Sequence, residues 1–338
     1  MKVDGRWRRT IELDASGTVI VLDQSRLPYD IEWLPLRTLD DAASAIRDMK
    51  IRGAPLIGAT AAYGVAIALR DGATLEHACE VLARTRPTAI NLRWALDEMR
   101  RRVVDYDPFA AAALIADEDV ATCEAIGTHG LELIKRIDKP RVNVLTHCNA
   151  GWLATVDWGT ALAPVYKAHE AGIDVHVWVD ETRPRNQGLL TAWELKQHGV
   201  PHTVIADNAG GHLMQQRQVD LCIVGTDRTT KNGDVCNKIG TYLKALAAHD
   251  NAIPFYAAVP SSSIDFTVGE PHEIPIEERS GDEVRLIRGA SVIAADTAVA
   301  NPAFDVTPRR LMTGLITERG IADPAAASLA ALFPERTR

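Results

Sequence analysis

Apolar and polar positions divide this chain into three stretches of different period. Between Arg9 and Leu36, three β-rich runs at 10–13, 18–22 and 30–34 are separated by turn residues at Ala15-Ser16-Gly17 and by Pro28. That spacing predicts a small antiparallel cap. From Thr38 to about Ile137 the pattern becomes helical. Thr38-Leu39-Asp40-Asp41 opens one helix, and Pro55 stands at the first turn of another over 56–69. This second helix is crowded with Gly and Ala, so a neighbour can approach it closely. Further on, strands over 142–146, 174–179, 202–206, 221–224 and 255–259 alternate with helices over 161–171, 188–198, 209–217 and 237–249. Alternation at this spacing implies a parallel, doubly wound sheet with right-handed crossovers. The fold class read from the pattern is α/β: a β-capped helical region over 1–118 and a Rossmann-like region over 119–338. Neither a G-x-G-x-x-G nor a G-x-x-x-x-G-K-[ST] motif occurs, so the Rossmann likeness is one of topology only.

Composition narrows the function classes. A length of 338 residues allows two domains, and a net charge of −8 argues against nucleic-acid binding, which wants a basic face. It leaves room for a local basic pocket around a phosphorylated metabolite. Five scattered cysteines without a C-x-x-C pair suggest neither a disulfide framework nor a zinc site. They suit a reducing compartment. The opening MKVDGRWRRT has no apolar signal core, and the longest apolar run, near 59–69, is too short to span a bilayer. A soluble cytoplasmic protein without membrane contact is expected.

Candidate chemistry gathers at predicted element ends. The strand over 142–146 runs into Thr146-His147-Cys148-Asn149-Ala150-Gly151, small and polar residues suited to a tight turn into a helix. A thiol at that point would face the positive end of the helix, which favours the thiolate. Arg52-Gly53-Ala54-Pro55 sets a guanidinium and a flexible backbone before a helix N-terminus, an anion seat. Asn91-Leu92-Arg93-Trp94 offers a second cation. Asp180 to Gly188 is a dense polar run directly after a strand. Asp227 ends the strand over 221–224, followed by Asn232-Gly233-Asp234 and a helix expected to open at Asn237-Lys238. Taken singly, each has an ordinary reading: a buried filler thiol, solvated arginines, an aspartate paired with Arg228. Taken together, two strands of one sheet end in reactive groups with cations nearby. Shielded from water, Asp227 would have a raised pKa and act as a general acid.

The stretches IRGAPLIG, NLRWAL, LTHCNAG, ETRPRNQG, DNAGGHLM, GTDR, NGDVCNKIGTY and IPIEER, with NPAFDVTP at 301–308, are long and specific. On them the chain resembles the methylthioribose-1-phosphate isomerase family of methionine salvage. The resemblance covers most of the sequence. It implies an N-terminal helical and a C-terminal Rossmann-like domain, a homodimer, and neither metal nor organic cofactor. It implies Cys148 and Asp227 as the catalytic pair, and Arg52, Gly53, Ala54, Arg93, Gln187, Asn237 and Lys238 as substrate-binding positions. A pentose 1-phosphate is the implied substrate. Trp152, Thr226 and Asn186 depart from the family pattern close to the site. The substituent on C5 of the sugar is therefore left open, with 5-deoxyribose 1-phosphate and ribose 1,5-bisphosphate as alternatives to the methylthio sugar. A further alternative is the binding role of the regulatory subunits of the translation-initiation guanine-nucleotide exchange factor, which share the fold.

Overall fold

The computed structural model describes residues 1–87 and 89–336. Thr88 and the last two residues of the 119–338 region lie outside the described residues. The antiparallel cap is present: strands Ile11–Leu13, Val19–Leu22 and Trp33–Leu36 pair in chain order. Five helices follow, Leu39–Arg47, Ala54–Arg70, Leu75–Ala83, Ile90–Arg102 and Pro108–Lys135. Thr38 and Asp41 cap the first of these reciprocally, side chain to backbone in both directions. In the second, every residue from Leu56 to Ala68 is buried. A helix apolar on all sides belongs at the centre of a bundle. Gly64 makes that possible: a methyl added there would come within 2.9 Å of the Ala42 Cβ.

The 28-residue helix Pro108–Lys135 crosses position 118 without a break. Its first half (Ala111, Ala112, Ile115) packs into the helical core, and Ile126 and Ile134 pack against the sheet. The two regions thus share an element at the junction.

The main sheet runs Gly320–Ala322, Gly314–Thr317, Phe255–Ala258, Leu221–Val224, Val142–Thr146, Val175–Asp180, His202–Ile205. All neighbours are parallel except the edge strand Gly320–Ala322. Residue alternation sends Val142, Val144, Leu221 and Ile223 into one apolar core and Leu145, Cys222 and Val224 into another. Both faces are covered, as parallel sheets require. Chain order reverses between Val142–Thr146 and Leu221–Val224, which places a topological switch point at their carboxyl ends.

A second, four-stranded sheet was not anticipated: Ile264–Asp265, Arg228–Thr230, Val235–Lys238 and Phe304–Thr307. It corrects the expected helix over 237–249. Asn237 and Lys238 are the last residues of a strand, and the helix is Thr241–Asp250. The reason lies in Asn232-Gly233, with Gly233 at φ +94°, which folds the chain into a hairpin. Pairing with Phe304–Thr307 then holds Val235–Lys238 extended.

Candidate active site

One cavity opens at the switch point. Cys148, two residues beyond strand Val142–Thr146, and Asp227, three beyond Leu221–Val224, both line it. Cys148 sits in the left-handed region at φ +69°, where side chains other than glycine are uncommon. Its backbone is held there from both ends: the N–H donates to Thr182 Oγ1 at 2.9 Å, and the carbonyl accepts from Thr191 Oγ1 at 2.8 Å. Asp227 is tied through its N–H to the Cys236 carbonyl at 2.9 Å. Among the described residues, no group hydrogen-bonds its carboxyl, which is left to the cavity.

The expected thiolate does not follow from this geometry. No α-helix begins beside Cys148; a short 3₁₀ turn, Trp152–Ala154, comes first, and the next helix starts at Ala163. Burial pushes the Cys148 thiol up, Asp227 adds to the rise, and Arg52 and Lys238 oppose it. Burial also raises Asp227, against the pull of Lys238, Arg52 and Arg86. A carboxyl so placed keeps its proton to higher pH, as a general acid needs.

The opposite wall comes from the helical region. Arg52, Gly53 and Ala54 line the cavity, as do Gln187, Asn237 and Lys238 from the sheet side. Gly53 has φ +96°, and a Cβ there would lie 2.3 Å from the Ala154 backbone, so only glycine lets the two walls meet. Arg52 bridges them by donating to the Asn149 side-chain oxygen and to its carbonyl. Arg93 is not among the lining residues. It lies on the exposed face of helix Ile90–Arg102 and donates to the Pro87 carbonyl at 2.8 Å. Arg86 lines the cavity instead, with no side-chain partner among the described residues. Burial lowers its pKa while Glu277 raises it, yet a guanidinium stays charged throughout.

Arg86 precedes Pro87 just ahead of a helix, and Arg52 precedes Gly53-Ala54-Pro55 just ahead of another. Ala54, Pro55, Ala89 and Ile90, at or beside the two N-termini, line the cavity, and neither helix has a side-chain cap. Free N–H groups, two helix dipoles and two guanidiniums make an anion seat. The arginine–proline–helix pattern was the available sign of Arg86. Glu277, Ile274 and Pro275, from the IPIEER stretch, and Phe304 also line the cavity.

Behind this wall, Glu194 is fully buried. It accepts from the Trp152 and Leu153 N–H groups at 3.2 and 2.9 Å and from the Tyr166 hydroxyl at 2.9 Å. Burial pushes its pKa up to about 7. Of the three departures from the family pattern, only Thr226 reaches the cavity. Trp152 turns into the core, its indole N–H bonded to the Arg8 carbonyl at 3.0 Å. Among the described residues, His147, Asp180 and Asp207 have ligand-type atoms within 4.8 Å of one another. Lys244 supplies positive charge there, 3.3 Å from Asp180 Oδ2 and bonded to the Asp207 carbonyl. No helix among the described residues is long and apolar enough to cross a membrane.

Comparison with known proteins agrees with this architecture. A methylthioribose-1-phosphate isomerase of Methylorubrum extorquens is 62% identical over 100% of both chains. One of Gluconobacter oxydans is 56% identical, again over 100% of both. The crystal structure of 5-methylthioribose 1-phosphate isomerase from Pyrococcus horikoshii superposes with a TM-score of 0.89 at 41% identity, covering 98% of this chain and 97% of that one. Translation initiation factor eIF-2B, subunit delta, from A. fulgidus gives a TM-score of 0.87 at 36% identity, covering 97% and 100%. A family model described as the initiation factor 2 subunit family matches residues 50–324. The chain belongs to the initiation factor 2 subunit family and groups with its methylthioribose-1-phosphate isomerase members.

Proposed function

We propose that this protein is an aldose–ketose isomerase that converts 5-methylthioribose 1-phosphate to 5-methylthioribulose 1-phosphate in methionine salvage. The observation that supports the reading is that Cys148 and Asp227 line one cavity at the switch point together with Arg52 and Arg86. Arg52, Arg86 and the N–H groups around Gly53 and Ala54 take the phosphate. Gln187, Asn237 and Lys238 contact the sugar. The remaining lining mixes polar groups, among them Thr226, Arg228 and Glu277, with an apolar set of Met49, Ile57, Ile90, Pro260, Ile274 and Pro275. The apolar set suits an uncharged methylthio or methyl tail on C5, and Glu277 opposes a second phosphate by its charge.

Phosphate on the anomeric oxygen prevents the sugar from opening to a free aldehyde. In the proposed reaction Asp227 gives its proton to the ring oxygen as the bond from C1 to that oxygen breaks. C1 is left electron-poor, which acidifies the hydrogen on C2. Cys148, as thiolate, takes that proton, forming an enolate-like intermediate, and returns it to C1. The C2 hydroxyl proton passes back to Asp227, so both groups are restored. Burial holds the thiol above its ordinary pKa, and Arg52 and Lys238, which oppose that rise, lessen the cost of forming the thiolate. Water kept out of the cavity protects the intermediate. In deuterated solvent, label at C1 of the product supports this proton route. Unlabelled product together with retained turnover in Cys148→Ser means hydride moves directly and Cys148 only shapes the cavity.

Incubation with 5-methylthioribose 1-phosphate, watching for ketose, tests the assignment. Parallel reactions with 5-deoxyribose 1-phosphate and ribose 1,5-bisphosphate rank the tails. No turnover on any pentose 1-phosphate would leave a binding role of the regulatory-subunit kind. A homodimer in the cytoplasm belongs to the same reading, supported by the family resemblance; light scattering measures the first of these.

A further inference from the structure

His147 is the chain neighbour of Cys148 but does not line the cavity. Its residue is 1% exposed, and its ring makes two bonds, Nδ1 to Asp180 Oδ2 at 2.9 Å and Nε2 to the Ile239 carbonyl at 2.8 Å. A carbonyl only accepts, so Nε2 carries hydrogen. One proton then lies between Nδ1 and the Asp180 carboxyl. Lys244 stands 3.3 Å from the same Asp180 oxygen, and Asp207 Oδ1 is 4.0 Å from Nδ1. Asp305 accepts from the Gly240 and Tyr242 N–H groups at 2.7 and 3.1 Å.

Gly240, at φ +103°, lies against the ring: a methyl added there would come within 3.0 Å of Nε2 and Cε1. The ring therefore clamps the turn that immediately follows Asn237 and Lys238. On its other side it is one peptide bond from Cys148, whose N–H reaches Asp180 through Thr182: Thr182 Oγ1 accepts from Cys148 and donates to the Asp180 carbonyl at 3.0 Å. One side chain thus joins the strand end that presents the thiol to the strand end that presents Lys238. The cluster is not an obvious stabiliser. Asp180 Oδ1 is buried without a hydrogen-bond partner, and buried charge networks seldom outperform apolar packing in stability alone.

On the isomerase reading above, we propose that His147 is a positioning residue that sets the separation of Cys148 and Lys238 by holding the Ile239 carbonyl. The test compares three variants in the isomerase assay. Gln at 147 can extend an amide N–H to where Nε2 stands, whereas Asn reaches only the Nδ1 position and Leu offers neither. His147→Leu and His147→Asn should lower kcat by on the order of 100-fold, the effect of a small misplacement of reacting groups. KM should stay within about threefold, because the anion seat rests on other elements. His147→Gln should restore kcat to within about tenfold of wild type, since the bond to Ile239 is remade. Unchanged kcat in His147→Leu, or equal loss in His147→Asn and His147→Gln at similar melting temperature, overturns the proposal. If His147→Leu does not fold, the Asn and Gln pair decides. Turnover by wild type with unaffected variants removes the clamp alone; absence of turnover by wild type removes the isomerase reading as well.

Discussion

The two walls of the cavity are built to different tolerances. On the sheet wall, Cys148 has both backbone groups bonded to threonines, and Asp227 is anchored to the hairpin strand behind it. On the helical wall, Arg86 has no side-chain partner among the described residues, and Arg52 is tied to Asn149 only. Proton transfer requires placement to a fraction of an ångström, which buried strand ends provide. Holding a phosphate by charge requires reach and donors more than precision, and loops before helix N-termini provide those.

This contrast breaks if substitutions on the two walls have the same kinetic signature. Cys148→Ser and Asp227→Asn should each lower kcat by about 10³-fold or more, with the fold intact by circular dichroism. Retained kcat in either would remove that residue from the chemistry. Arg52→Ala and Arg86→Ala should instead raise KM for the sugar phosphate, each by about 10- to 100-fold, the worth of a charged hydrogen bond. A pure kcat loss at Arg86 would place it with the reacting groups.

A smaller effect sharpens the comparison at the seam. Glu194 caps the turn on which Gly53 packs, and its pKa is raised from 4.5 to about 7 in the folded chain. A carboxyl raised in this sense stabilises the fold fully below its unfolded pKa. That stability falls as pH rises between about 4.5 and 7 and then levels off. The ceiling on the change is about 3 kcal/mol. Glu194→Gln should flatten the decline of melting temperature over that window, and an unchanged slope would contradict the assignment. The smallest expected effect is at Arg93, on the outer face of its helix. Arg93→Ala should change KM by less than about twofold, as an exposed arginine contributes little; a large rise in KM would return it to the substrate-binding positions.

Much of this was legible along the chain. Strands over 142–146 and 221–224 end where the chain turns from largely apolar to polar and turn-forming residues, because strands at the centre of a parallel sheet are covered on both faces. The cap, the central Gly- and Ala-rich helix and the Cys148, Asp227 and Arg52 positions were readable for similar local reasons. The hairpin carrying Asn237 and Lys238 was not. Val235 to Lys238 is short, and its partner strand Phe304–Thr307 lies more than sixty residues onward in the chain. Local propensity carries no record of such pairing.

The sequence by itself determined which segments are apolar on one face or all round, where turns must fall, and which residue types could do acid, thiol or anion chemistry. Only the tertiary structure decided that Arg86 rather than Arg93 faces the cavity, and that Cys148 meets burial rather than a helix end. It also decided that His147 clamps the turn after Lys238. Periodicity acts between neighbours a few residues apart. Direction into a shared cavity, and the loss of water that shifts a pKa, depend on what distant segments bring to the other side.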